Sequence, residues 1–284
     1  MALLRVAAFV SVFTTIGIVV SLLVPAVDFF REISVIEFLT GSSWSPNLAP
    51  KSFGVLPLIS GTLIVTAIGL LVAVPLGLGA AMYLSEYASK KVRARLKPVL
   101  ELLAGIPSVV YGFFALTFVT PVLLKKILQV DVGYTNALSA GIVLGVMIIP
   151  TVASLSEDAM SAVPQALRQG SFAMGANRMQ TTLRVVFPAA ISGIAAAVVL
   201  GLSRAIGETM IVALASGGQP NLSADPREGM QTMTGYIAAT AGGENPVGSV
   251  SYNTLFAVGL LLFCITLVVN IISIALVRRY RQAY

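Results

Sequence analysis

Arg204 and Glu208 stand four residues apart, directly after a stretch, 185–203, that holds no Asp, Glu, Lys or Arg. On a continuous helix that spacing puts both side chains on one face. An ionised group inside a bilayer costs about 3 kcal/mol or more, so it must face protein or water and have a partner. Two readings follow. The pair locks a helix bundle, or Arg204 meets an anion. A guanidinium matches phosphate geometry and stays charged at any working pH. Glu208 would then hold Arg204 in place and weaken its grip, so that the anion passes on.

Other chemistries lack their residues. Histidine is absent, so there is no His metal site, Ser-His triad or imidazole relay. The one cysteine, Cys264, lies in an apolar run and can form no intrachain disulfide. No Gly-Lys pair occurs, which excludes a phosphate-binding P-loop. If ATP drives this protein, another chain binds it.

The elements that position these residues are read from the charge pattern. Of 284 residues, 57% are apolar and only 11% are charged. A soluble domain carries about 25% charge, so a soluble or disordered chain is excluded. The charge-free intervals are 6–27, 52–85, 102–124, 132–156, 185–203 and 245–277. A spanning helix needs about 20 apolar residues, and none of the intervals alternates as barrel strands do. The expectation is an all-α polytopic membrane protein of six transmembrane helices. The fifth is expected to run on through Arg204 and Glu208 to about Ala215. The first is read as a retained helix, because it exceeds the apolar core of a signal peptide and no clear cleavage site follows. Small residues recur every four positions in helix two (Gly69, Ala73, Gly77, Ala81) and helix five (Gly193, Ala197, Gly201). They allow close helix approach, either within one bundle or against a second subunit.

Placing the N-terminus, the 85–98 and 157–187 loops and the C-terminus on one side gives it 12 Lys and Arg, against 5 opposite. The positive-inside rule puts both termini in the cytoplasm. The outer loops are then 28–56, 125–137 and 217–253. The net charge of +6 is topological and points to no nucleic acid. The 90–97 basic cluster is read as an anchor at anionic headgroups of the bilayer. Residues 157–187 are amphipathic and too polar to span. Pro164 suits a first turn, and Gly175 sits where one short helix ends and another begins. That segment lies on lipid or docks as a helix pair in a partner's groove.

Here the chain resembles a known family. Binding-protein-dependent importer permeases carry E-A-A-x-x-x-G, then nine residues, then I-x-L-P. The same spacing runs from Gln169, Gly170 and Ser171 through Gly175 to Pro188, with the E-A-A triplet replaced. SEYASKKVRARLKPVLELLAGIPSVVYGFFAL (85–116), LSAGIVLGVMIIPTVASLSEDAM (138–160) and SRAIGETM (203–210) are similar to PstC-type phosphate permeases.

The resemblance implies a type I ABC importer permease in a bacterial inner membrane. It implies that Gln169, Gly170, Ser171, Gly175 and Pro188 belong to the loop that enters the ATPase. It implies that Arg204 and Glu208 serve the substrate pathway. It implies a PstA-like permease, a PstB-like ATPase dimer and a PstS-like phosphate-binding protein as partners. The chain itself would be no enzyme and bind no cofactor, ATP and Mg being used by the partner ATPase. Residues 1–56 would form the first helix and external loop, 57–278 the permease body and 279–284 a cytoplasmic tail.

Overall fold

A computed structural model describes residues 1–243 and 245–279. The tail assigned to 279–284 lies outside them beyond Arg279. Helix α1 (Ala2–Glu32) is followed by the short α2 (Val35–Thr40) and by a two-stranded hairpin, β1 (Trp44–Ser45) and β2 (Ser52–Phe53), in antiparallel register Trp44↔Phe53. Helix α3 (Leu56–Met82) starts with Pro57 in its first turn, where a missing N–H costs nothing. It continues in wide π-type turns through Tyr83–Tyr87.

The 85–98 region is not the expected loop. Ser89 caps α4 (Lys90–Ala104), its Oγ accepting from Val92 N–H at 3.3 Å. The chain then turns at Gly105–Ile106–Pro107 into α5 (Ser108–Phe114) and its π-type continuation, Ala115–Ile127. The third span is therefore Ser108–Ile127, and Glu101 belongs to α4. Helix α6 (Ala137–Ser161) is capped by the fully buried Asn136.

Then come α7 (Gln165–Ala173), α8 (Arg178–Thr181), a π-type turn (Thr182–Val186) and α9 (Phe187–Ala189). A 72° bend at Ala190 leads into α10 (Ile191–Ile206). The chain breaks, restarts as α11 (Met210–Ala215), and finishes with α12 (Met233–Ala241) and α13 (Val250–Arg279).

Five helices are long and apolar enough to cross a membrane, and the segment bent at Ala190 passes the same test only when Arg178–Ala189 and Ile191–Ile206 are taken together as one broken span. The centre is α6. Its Leu144 and Gly141 meet Gly69 of α3, its Val152 meets Gly77, and its Ile148 and Val152 meet Gly201 of α10. Both small-residue stripes therefore pack inside this one bundle. Close packing is the main attraction available between helices in lipid, so the stripes determine which helices touch.

Helix α1 runs antiparallel to α13, with Leu22 against Gly259 and Phe29 in one cluster with Val258. That cluster includes Phe38, Trp44 and Phe53, stacked edge to face. The bundle thus has one basic end, which carries α4, α7 and α8, and an opposite end with the hairpin. At the opposite end 217–253 is not wholly an outer loop. Residues 230–236 are buried, and α12 packs among α3, α11 and α13. Gly61 permits this, since a Cβ there would lie 2.5 Å from the Gln231 carbonyl oxygen.

Candidate functional site

The fifth span does not continue to Ala215. Helix α10 ends at Ile206, and the Glu208 carboxylate turns forward to accept the N–H groups of Met210 (3.0 Å) and Ile211 (3.3 Å). These are orphan donors of α11's first turn, and a carboxylate is the strongest acceptor available to them. Thr234, at the start of α12, fixes the break by donating to the Glu208 carbonyl at 2.6 Å. The side-chain pairing expected of Arg204 and Glu208 is therefore not formed. No ion pair joins them among the described residues.

Arg204 lies in the last turn of α10, exposed on the surface of this single chain. Its recorded hydrogen bond, Nη1 to Thr151 Oγ1 on α6, is long at 3.4 Å and leaves the charge uncompensated. A fixed cation beside a helix break, in an otherwise apolar crossing, can receive an anion without first releasing a carboxylate.

The second constellation is at the basic end. Helix α7 closes on Gly175, whose φ of +83° favours glycine. Asn177 and Gln180 then form a capping box that starts α8. Gly175 thus separates two short helices, as its sequence position predicts. Gln169, Gly170 and Gly175 are exposed, and Ser171 bonds to Thr181 Oγ1 at 2.9 Å, tying α7 to α8. Pro188 stands in the first turn of α9, just before the bend. Phe172, Met174 and Met179 are exposed at the tip, Met174 to 89%. The structure does not bring this segment near Arg204. The two constellations are joined through α9 and α10.

Two ionic clusters built on buried carboxylates brace the basic end: one holds α7 to the end of α3 and the other holds α4 to α6. Arg168 of α7 gives Nη2 to Glu86 Oε1 at 2.8 Å and Nε to both Glu86 oxygens at 3.3 and 3.4 Å. It also donates to the carbonyls of Met160 (2.8 Å) and Val163. Glu157, fully buried on α6, forms an ion pair with Arg93 and accepts from Lys97 Nζ at 2.9 Å and from Ser161 Oγ at 2.7 Å. Lys97 also pairs with Asp158. Burial alone would lower the Lys97 pKa, but its hydrogen bonds to Asp158 and Glu157 outweigh that and raise it. Two cations of the 90–97 cluster therefore turn inward and clamp α4 to α6. The sequence signal available was a carboxylate at the end of each of two apolar runs, Glu86 and Glu157, with no Lys or Arg within three residues of it.

Six crossings with a broken fifth span, and a short helix pair hung from the basic end, define a permease-type membrane subunit of the type I importer architecture. Residues 73–282 match the family model described as "Binding-protein-dependent transport system inner membrane component". The chain is 42% identical over 247 residues to "Probable ABC transporter permease protein YqgH" of Bacillus subtilis, covering 87% of this chain and 77% of that protein. It is 37% identical to "Phosphate transport system permease protein PstC 1" of Mycobacterium tuberculosis, covering 86% and 82%. It is 34% identical to PstC of Mesorhizobium japonicum, covering 84% and 76%. A bacterial alginate ABC transporter chain superposes with a TM-score of 0.69 at 18% identity, over 98% of this chain and 94% of that one. A chain of the inward-facing MetNI methionine ABC transporter gives 0.58 at 21%, over 81% and 95%. The chain belongs to the binding-protein-dependent inner membrane component family, as a permease of the PstC type.

Proposed function

We propose that this chain and a PstA-like permease line the path of inorganic phosphate through a bacterial cytoplasmic membrane, in an importer driven by ATP. A PstS-like protein delivers phosphate at the end that carries the hairpin. A PstB-like ATPase dimer binds ATP and Mg at the basic end, which the positive-inside rule places in the cytoplasm together with both termini. Phosphate is moved and not chemically changed.

The observation that carries the reading is Arg204, a guanidinium held at a helix break within a crossing, with a neutral hydroxyl as its partner. In a low-dielectric path such a cation offsets the desolvation of phosphate. One cation among neutral groups binds weakly enough for release. The exposed tip around Gly175 enters a groove on the ATPase. Closure of the ATPase dimer pulls α7 and α8, and the bend at Ala190 passes that movement into α10 and so to Arg204. The names and identities of the PstC relatives support phosphate as the substrate.

Uptake of labelled phosphate into liposomes containing all four kinds of subunit tests this. Uptake is expected only with ATP, and excess unlabelled phosphate should suppress it while sulfate does not. Equal suppression by sulfate would contradict the substrate assignment.

A further inference from the structure

At the basic end a cavity of about 250 Å³ opens between the end of α3, α4, α7 and α8. Three guanidiniums line it, those of Arg93, Arg168 and Arg178, with one carboxylate, Glu86. Their donors are not equally occupied. Arg168 spends all of its nitrogens on Glu86 and on the carbonyls of Met160 and Val163. Arg93 gives one nitrogen to Glu157 and is still 37% exposed. Arg178 has no carboxylate partner among the described residues and lies over the Tyr87 ring, 5.3 Å from its centroid. Stacking leaves the edge donors of a guanidinium free. Gln165 adds a neutral amide.

The lining therefore carries a surplus of positive charge and unused planar donors from two different elements, α4 and α8. Tetrahedral oxyanions are recognised by this chemistry. We propose that the cavity is a binding site for a phosphate-type oxyanion held between Arg93 and Arg178, and that its occupation fixes α8 against the bundle. Glu157 anchors Arg93 to α6, whereas Arg178 moves with the segment assigned to the ATPase, so a bridging anion resists that movement. Intracellular phosphate would then slow its own import. This regulatory consequence rests on the phosphate-import reading; occupation of the cavity does not.

The test reads the cavity directly and needs no transport. In the complete complex, in a Cys264→Ser background, a cysteine replaces Gln165 in the cavity or the exposed Lys91 in the first turn of α4, outside it. The alkylation rate by a maleimide applied at the basic end is measured in phosphatidylcholine vesicles, with and without millimolar inorganic phosphate. Phosphate should slow Gln165→Cys at least threefold and leave Lys91→Cys unchanged, and Arg178→Gln should remove the slowing. Slowing by vesicles containing phosphatidic acid, without added phosphate, would keep the site and assign it to a lipid headgroup. No slowing by either, equal slowing at both positions, or slowing that survives Arg178→Gln would overturn the proposal. So would a cysteine at 165 already unreactive in phosphate-free buffer, because a partner's side chain would then fill the cavity.

Discussion

Glu208 shows how a single side chain acquires a role that its spacing does not announce. Four residues from Arg204, it would form an intrahelical ion pair if the helix continued. It instead satisfies two backbone N–H groups and ends the helix. The cap needs an acceptor oxygen rather than a charge. Glu208→Gln should therefore retain near-normal abundance in the membrane, whereas Glu208→Ala should lose about 1 kcal/mol of local stability and accumulate less, by immunoblot of the same membranes. Equal loss in both variants would restore the ion-pair account. Arg204 is the complementary case. Its charge was legible as an expensive group in an apolar run, but the choice between lock and anion contact was not, because that turns on where Glu208 points. Thr234, 26 residues further on, fixes that point.

At the scale of elements, local signals were read well and long-range ones were not. The boundary at Gly175 is local: a left-handed glycine followed by a capping box. The long crossings follow from runs of apolar residues that have nowhere else to go. Helix α12 was missed because nine residues are too few to register as a span, and its place comes from contacts with Gly61 and Thr62 of α3. The Glu86–Arg168 pair joins positions 82 residues apart, and no sequence pattern encodes it. That pair makes α7 a rigid extension of α3. Removing one partner of a buried pair costs about 3–5 kcal/mol, while removing both costs less than the sum. Glu86→Gln and Arg168→Met should each lower abundance. The combined variant should recover part of it, with a coupling energy above about 1 kcal/mol by a double-mutant cycle. The recovered complex should still hydrolyse more ATP per phosphate imported than wild type. Strict additivity would show the pair to be independent of the fold. The nearby Lys97 contributes with a definite sign. Its raised pKa means that its share of stability is complete below the unfolded value of about 10.4 and is lost only as pH rises through the folded value. The clamp of α4 on α6 should thus be insensitive to pH between 6 and 9.

The whole molecule is organised by its charge asymmetry. The topology read from the sequence assigns twelve Lys and Arg to one side of the crossings and five to the other, and the structure gathers α4, α7 and α8 at one end. Sidedness is tested with cysteines in the Cys264→Ser background. A cysteine at Ser171 should resist membrane-impermeant thiol reagents in intact cells, and one at Ser223 should react. The reverse pattern would invert the assignment of both ends. The two ends are also built differently. Ionic clusters hold the basic end together and aromatic edge-to-face contacts hold the other, so movement imposed at α7 and α8 is passed along helices rather than absorbed in a soft loop.

The central claim is that Arg204 serves the passage of phosphate and not the packing of the bundle. The direct measurement is ATP-dependent uptake of labelled phosphate by reconstituted wild type, Arg204→Gln, Arg204→Lys and Arg204→Met with Glu208→Met, normalised to permease abundance in the same liposomes. The Arg204 variants should assemble because Arg204 holds no carboxylate in the fold, and the double variant should assemble at reduced abundance because Glu208→Met removes the α11 cap, which the normalisation corrects. Uptake should fall at least tenfold in Arg204→Gln and in the double variant. Arg204→Lys should be intermediate, since an ammonium keeps the charge and loses the planar fork. Wild-type uptake by the assembled double variant would contradict the account and leave Arg204 without a part in transport.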